Sequence, residues 1–146
     1  MDRFLALLAA YHRARAPVLV CGVGTALTID LVDGDGRHLG GRIAPSPTLM
    51  REVLHARAAH LPEQGGRYDL FARDTDDALE SGCLGAAVAL VEQTQREALA
   101  RVPTPPVLVL HGGGADALAP HLPDAVLHGS LVLNGLAIWA AGDAGH

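Results

Sequence analysis

The sequence of 146 residues contains no lysine, and all 11 of its basic residues are arginine. This absence excludes a phosphate-binding loop of the lysine type and a catalytic lysine that forms a Schiff base. The net charge is −5 at pH 7, and an acidic chain is not expected to bind nucleic acid, whose phosphates need clustered positive charge. A phosphate bound by this protein must therefore be held by arginine, backbone N–H groups, hydroxyl groups or bound cations.

Cysteine and long apolar segments are also scarce. Cys21 and Cys83 form no Cys-x-x-C pair, so neither a zinc knuckle nor a disulfide framework is indicated, and both thiols are predicted to be buried and reduced. No uncharged apolar run reaches the roughly 18 residues of a membrane span, and Asp2, Arg3 and Arg13 interrupt a signal-peptide layout. We therefore expect a cytoplasmic protein without a membrane partner.

The order of the apolar patterns predicts an α/β fold in a single domain. Helical spacing predicts helices over about 2–14, 48–60, 75–101 and 130–141, with a short helix after 114. Strands are predicted over 18–23, 25–33, 37–43, 107–110 and 125–127. The first three strands form an antiparallel meander at the edge of a mixed sheet with flanking helices. This layout resembles the ribonuclease-H-like half-domain of actin-like ATPases and sugar kinases.

Two burial patterns can be predicted from these elements. In the second strand, Leu27, Ile29 and Leu31 alternate with Thr28 and Asp30, which predicts one buried face and one polar face. In the long helix, the predicted buried face consists of Leu79, Cys83, Ala86, Ala87, Leu90 and Thr94. Gly82 and Gly85 lie inside that helix at a cost of roughly 1 kcal/mol each. Such small residues let another backbone come close, which favours a subunit interface there.

The turn Gly22-Val23-Gly24-Thr25 lies between the first two predicted strands. Its glycines and its hydroxyl would let backbone N–H groups approach a phosphate without obstruction, although an ordinary hairpin turn is an alternative. It lacks the third glycine of a dinucleotide fingerprint, so a Rossmann fold is not predicted. The eight histidines show no metal-ligand spacing, and no protein metal site is predicted.

Six short motifs follow one another along nearly the whole chain. They are Asp2-Arg3, Gly22-Val23-Gly24-Thr25, Gly40-Gly41-Arg42-Ile43-Ala44-Pro45, Asp74-Thr75 with Ala78 and Gly82, Gly112-Gly113, and Leu131-Val132-Leu133-Asn134-Gly135-Leu136. Each motif is weak alone, but six in this order are specific. In this arrangement the sequence resembles the type III pantothenate kinases.

The resemblance implies a homodimeric enzyme that phosphorylates pantothenate to 4'-phosphopantothenate with ATP and Mg²⁺, the first step of coenzyme A synthesis. Asp2 matches the general base that takes the proton from the pantothenate hydroxyl, and Arg3 matches a pantothenate-binding residue. Thr75 matches a pantothenate contact that the partner subunit supplies. The ATP-binding positions are matched by Gly24, Thr25, Gly112 and Gly113, the last two beside the adenosine.

These residue types suit the implied chemistry. A positioned aspartate is a suitable general base, and the fork of an arginine binds both oxygens of a carboxylate. Simpler structural roles are also open. Asp2 could be a helix N-terminal carboxylate, Thr75 a helix-start residue within an Asp74-x-x-Asp77 capping arrangement, and the glycines at 112–113 a strand-to-helix turn.

The chain departs from the family pattern in two respects. The family has a whole domain before its Gly-x-Asp-Arg motif, with a hairpin that holds ATP phosphates, whereas this chain opens at Met1-Asp2-Arg3. The family's aspartate that binds K⁺ or NH₄⁺ is replaced by Gly22. We therefore expect residues 1–146 to be one C-terminal kinase-type domain that is not a competent kinase by itself.

Two alternatives to a kinase stay open. The first is a non-catalytic relative that binds pantothenate or a nucleotide as a regulator, which the missing domain and Gly22 favour. The second is the remnant of a decaying gene, which would yield little soluble protein because an exposed inter-domain face promotes aggregation.

Overall fold

Five strands form one sheet in a computed structural model that describes residues 1–143. They are β1 (Val18–Val23), β2 (Ala26–Val32), β3 (His38–Pro45), β4 (Val107–His111) and β5 (Val126–Leu127). The strand order is β3-β2-β1-β4-β5. β1 pairs antiparallel with β2 and parallel with β4, β2 pairs antiparallel with β3, and β4 pairs parallel with β5. The predicted mixed sheet with an antiparallel meander is confirmed.

Helices flank this sheet on both sides. They are α1 (Asp2–Ala14), α2 (Pro47–Arg57), α3 (Thr75–Ala98), α4 (Ala115–Leu118) and α5 (Leu131–Asp143), with a 3₁₀ turn over Ala119–His121. α2 and α3 each end three residues before the predicted end. At the end of α3 the N–H of Arg101 bonds to the carbonyl of Ala98 in a tight turn, which ends the α-helical pattern.

Side chains of β1 are buried on both faces of the sheet, at all six positions. On one face Leu19 and Cys21 pack in a cluster with residues of α3 and α4. On the other face Val18 and Val20 pack against α1 and its neighbours. A sheet covered on both faces explains why β1 reads as a continuous apolar run. The thiols of Cys21 and Cys83 are free and buried as predicted, and burial raises the pKa of Cys21 to about 12.

The prediction that the second face of β2 would be polar and open was wrong. Asp30 is only 1% exposed, because α1 covers this face and Arg3 of α1 pairs with the Asp30 carboxylate. An acidic residue at an alternating position is buried when a neighbouring element supplies its charge partner.

The predicted buried face of α3 was partly wrong. Cys83 and Ala87 are buried as expected, but Ala86 is exposed. Leu84, Val88 and Val91 are buried instead, because they pack in the cluster with β1 and β2. None of the helices that the structure describes is long and apolar enough to cross a membrane.

Candidate functional site

A cleft of about 350 Å³ opens where β1 and β4 end. Its walls come from the turn after β1, from the start of α2 and from the glycine turn after β4. Ligands of α/β proteins bind preferentially at the carboxyl ends of parallel strands, which is the position of this cleft. Gly24, Thr25 and Gly113 all line it, so the fold brings together residues that the sequence placed in two separate motifs.

Backbone geometry explains the glycines of the turn after β4. Gly112 has φ +95, and a Cβ on it would lie 2.4 Å from the carbonyl oxygen of Val23. Gly114 donates its N–H to the same oxygen at 3.0 Å. The end of β1 and this turn therefore touch through backbone atoms, and a side chain at position 112 would separate them.

The turn after β1 has the opposite property. Gly24 donates its N–H to the carbonyl of Ala26 at 3.0 Å, which keeps the turn tight, yet a Cβ on Gly24 would meet nothing within 4 Å. Thr25 beside it is exposed. The space over this turn is open to a ligand, and the packing of the chain itself does not require glycine there.

The first turn of α2 forms the third wall. Ser46 caps the helix by accepting a hydrogen bond from the N–H of Leu49 at 3.2 Å, and its own N–H bonds to the carbonyl of Thr25 at 3.3 Å. A helix N-terminus carries partial positive charge and favours anions. Glu52 is the carboxylate that lines the cleft. Among the residues that the structure describes, backbone groups and hydroxyl groups line the cleft and no arginine does.

A second polar group of residues lies at the start of α1. Arg3 donates from Nε to Oδ2 of Asp30 at 2.6 Å and from Nη2 to Oδ1. His38 Nε2 lies 2.7 Å from the same Oδ1. The hydrogen bond to Asp30 raises the pKa of Arg3, so the guanidinium stays charged. Sequence reasoning missed Asp30 and His38, and the signal for Asp30 was an acidic residue in a strand whose other residues, apart from Thr28, are apolar.

The other predicted residues lie outside the cleft beside Gly24. Asp2 is exposed in the first turn of α1, next to Arg3. Thr75 is exposed at the start of α3, and the predicted capping is present because Asp74 accepts a hydrogen bond from the N–H of Asp77 at 2.8 Å. Thr75 lines a separate depression with Arg67. Within one copy of the chain, the fold does not bring Thr75 into the cleft with Thr25.

The surroundings of Gly22 do not fit the monovalent cation that the resemblance implies. A Cβ on Gly22 would lie 2.8 Å from both Nε2 of His111 and Oγ1 of Thr28. Burial lowers the pKa of His111, which favours the neutral imidazole. The His111 ring thus lies beside the position at which the resemblance implies a carboxylate, and it is another residue that sequence reasoning missed. Among residues 1–143 no cluster of three or more His, Cys, Asp or Glu is placed to hold a metal ion.

Comparisons with known sequences agree on one family. A family model described as type III pantothenate kinase matches residues 1–97. Relatives named type III pantothenate kinase include one from Stenotrophomonas maltophilia strain K279a, 64% identical over 140 residues, and one from Xanthomonas campestris pv. campestris strain B100, 60% identical over 144 residues. They cover 96% and 99% of this chain, which spans 57% and 59% of their lengths.

Comparisons with solved structures concern the fold. A Campylobacter jejuni protein described as a Baf family transcriptional activator has a TM-score of 0.76 and 22% identity, over 97% of this chain and 65% of that chain. MreB 5 of Spiroplasma citri, bound to AMPPNP, has a TM-score of 0.58 and 12% identity, over 98% and 59%. An archaeal actin homolog has a TM-score of 0.55 and 11% identity, over 95% and 54%. The predicted actin-like fold is confirmed.

Proposed function

Because the chain belongs to the type III pantothenate kinase family, we propose that it carries part of the machinery that phosphorylates pantothenate with ATP to 4'-phosphopantothenate. One observation carries the proposal. Gly24, Thr25 and Gly113 meet in a single cleft at the ends of two parallel strands, although they come from motifs that are far apart in sequence. On this proposal the product enters coenzyme A biosynthesis. A cytoplasmic location of the protein stays a prediction.

In this proposal the nucleotide lies in the cleft. The Thr25 hydroxyl and the backbone of Gly24 contact its phosphates, and the turn at Gly112 and Gly113 lies beside the adenosine. Mg²⁺ is commonly held by one or two carboxylates, substrate phosphates and water. Glu52 is the lining carboxylate, so it would be the protein ligand to a Mg²⁺ that arrives with the nucleotide, and the ion would neutralise phosphate charge.

Pantothenate would bind near the start of α1. Asp2 would accept the proton of the pantothenate hydroxyl, whose oxygen then attacks the γ-phosphorus while ADP leaves. Arg3 would pair with the pantothenate carboxylate. Phosphoryl transfer depends mostly on positioning and charge neutralisation, and a positioned general base contributes roughly 10²–10⁴-fold. An exposed aspartate and a charged arginine side by side on one helix turn support these roles.

We also propose a homodimer through α3, in which Thr75 reaches the pantothenate site of the partner. A groove of about 900 Å³ runs along this helix past Gly82 and Gly85. A Cβ on Gly82 would meet nothing within 4 Å, and the groove's Leu70 and Phe71 are 77% and 88% exposed. Replacing Leu70 and Phe71 with serine should convert the dimer to a monomer, as measured by light scattering. Leu99→Ser, at an exposed site outside the groove, should not.

The curated relatives are longer than this chain, and we propose that residues 1–146 are their C-terminal kinase-type domain. On this proposal the hairpin that holds the ATP phosphates in the family lies in the part of the relatives that the chain does not match. Turnover then requires both parts, whereas part of the nucleotide contact remains in the cleft described above.

The first experiment is calorimetric titration of the chain with Mg·ADP. Thr25→Val should weaken binding about tenfold or more, the effect of losing a hydrogen bond to a charged phosphate. Thr104→Val, on an exposed loop, is the matched control and should leave binding unchanged. Equal affinities for wild type and Thr25→Val would reject the proposed phosphate contact.

A second candidate function is a non-catalytic relative that binds pantothenate or a nucleotide, and the His111 ring, which lies 2.8 Å from where a Cβ on Gly22 would be, favours it. To separate the two, the chain is fused to the portion of the Stenotrophomonas maltophilia relative that it does not match. ADP release from pantothenate and ATP supports the kinase. Binding of both ligands without ADP release supports the binding protein.

A further inference from the structure

Asp30 is the buried carboxylate at the centre of the charged cluster at α1. It is 1% exposed, whereas the side chains of Arg3 and His38 are 39% and 46% exposed. A carboxylate removed from water must be paired with opposite charge or well hydrogen-bonded, and both Asp30 oxygens have such partners. The cluster therefore has a fixed, buried acid below two basic groups that reach the surface.

Several local features make room for this carboxylate. Gly41 is the partner of Asp30 in the register of β2 and β3. A Cβ on Gly41 would overlap with Oδ1 of Asp30 and with the Ile29 carbonyl oxygen, at 2.3 Å from each. Between Leu31 and Val32 the register of β2 and β3 shifts, so that His38 pairs with Val32, close to the cluster. The proposed function assigns no role to the Gly40-Gly41 motif. The lack of a side chain at Gly41 is explained by the space that the Asp30 carboxylate needs.

The pairing fixes one edge of the Arg3 guanidinium. Nε and Nη2 both donate to Asp30, so the plane of the group cannot turn without breaking two bonds. A guanidinium has five N–H donors, and those of Nη1 are not used by Asp30. Because the side chain is 39% exposed, the second edge is accessible to a planar anion such as a carboxylate.

Apolar packing also attaches α1 to the sheet. α1 is already held by Leu5, Ala6, Ala9 and Ala10, which are all buried. Replacing a buried charge pair with well-packed apolar residues is often neutral or stabilising, so stability alone does not require a charge pair at this position. A charge cluster retained next to the proposed pantothenate arginine suggests a role in the site.

We infer that Asp30, supported by His38, is a positioning residue that holds the Arg3 guanidinium so that its free edge meets the carboxylate of pantothenate. The inference rests on the proposed function, because that function supplies the ligand of Arg3. Asp30 acts through Arg3 and touches no substrate. Its loss should therefore weaken the binding of pantothenate and leave the binding of nucleotide unchanged.

The test compares two ligands on the intact chain by calorimetry. Asp30→Asn keeps the size of the side chain and removes its charge. It should weaken pantothenate binding about tenfold or more, with ADP affinity within about twofold of wild type. The matched control is Glu80→Gln on α3, which removes the charge from the pair that Glu80 forms with Arg51 of α2 at 2.6 Å and should change neither affinity.

A second measurement uses the wild-type chain, in case Asp30→Asn fails to fold. The Arg3 Nε–H resonance is followed by nitrogen–proton NMR during titration with pantothenate. Asp30 should keep this proton protected from exchange throughout, while the Nη resonances shift. A bound state in which the Nε–H becomes exposed would overturn the inference.

The remaining outcomes separate the inference from the proposed function. If wild type binds pantothenate and a folded Asp30→Asn variant binds it equally well, the inference fails and the function stands. Equal losses for pantothenate and ADP would mean that Asp30 only supports the fold, which also overturns it. If wild type binds ADP but no pantothenate, the proposed substrate site is absent from this chain, and the inference falls with it.

Discussion

The cleft beside Gly24 and the charged cluster around Asp30 are built by different means. The cleft consists mainly of backbone: a tight turn, a glycine turn at φ +95 and a helix N-terminus. The cluster consists of side chains from α1, β2 and β3 that meet at one buried carboxylate. Motif reasoning named Gly24, Thr25 and Gly113 of the cleft and Arg3 of the cluster, and it missed Asp30 at the centre of the cluster.

The difference has a physical cause. A glycine turn is visible in the sequence as a short run of glycines, because its backbone conformation needs them, even though Gly112 is also required by its approach to Val23. A buried ion pair needs two elements to be packed against each other before its members meet. Positions in such a cluster carry ordinary residue types, and their role appears only once the helix is placed on the sheet.

The largest expected effect concerns the glycine turn. Gly112→Val should destabilise the chain by roughly 2–4 kcal/mol, because it adds backbone strain at φ +95 and a Cβ 2.4 Å from the Val23 carbonyl oxygen. Chemical denaturation measures the change. Gly24→Ala is the matched control, since its Cβ would meet nothing within 4 Å, and it should cost less than about 1 kcal/mol. Equal costs would contradict the distinction between the two turns.

Short-range signals in the sequence also determined which helices and strands could be predicted. The bounds of α1 and β1 agree with the structure, because apolar spacing and Pro17 between them are short-range signals. The burial of Asp30 depended on α1 lying across β2. The contact between Gly22 and His111 depended on β4 pairing with β1 in parallel, which the periodicity of either strand does not encode.

An intermediate effect is expected at Gly22. Gly22→Asp should destabilise the chain by about 1–3 kcal/mol, because the new Cβ would lie 2.8 Å from side-chain atoms of His111 and Thr28. The thermal unfolding midpoint should show no dependence on K⁺. Combining Gly22→Asp with His111→Ala removes the crowding ring, so that Thr28 is the remaining close neighbour of the new Cβ.

The double variant sharpens the same comparison. If this position lacks only space and a carboxylate to bind a cation, the unfolding midpoint of the double variant should rise in KCl relative to an equal concentration of choline chloride. The same rise in the single variant Gly22→Asp would contradict the conclusion that His111 blocks this position. No rise in either variant would show that the family's aspartate does not bind the cation through this position alone.

The smallest expected effect is a pH dependence of stability at His111. Burial lowers the pKa of this side chain below its ordinary value of 6.5, so the unfolded chain binds the proton more readily than the folded one. The contribution of His111 to stability is complete above about pH 6.5 and falls as the pH drops towards the lowered pKa.

His111→Gln should reduce this loss of stability in urea unfolding measured between pH 7.5 and pH 5 (roughly the range around the pKa of histidine). The pKa of His128 is also lowered, by burial and by Arg13, so His128→Gln measures the part of the acid sensitivity that arises away from Gly22. If only His128→Gln reduces the loss of stability at low pH, the His111 imidazole is not the source of that loss.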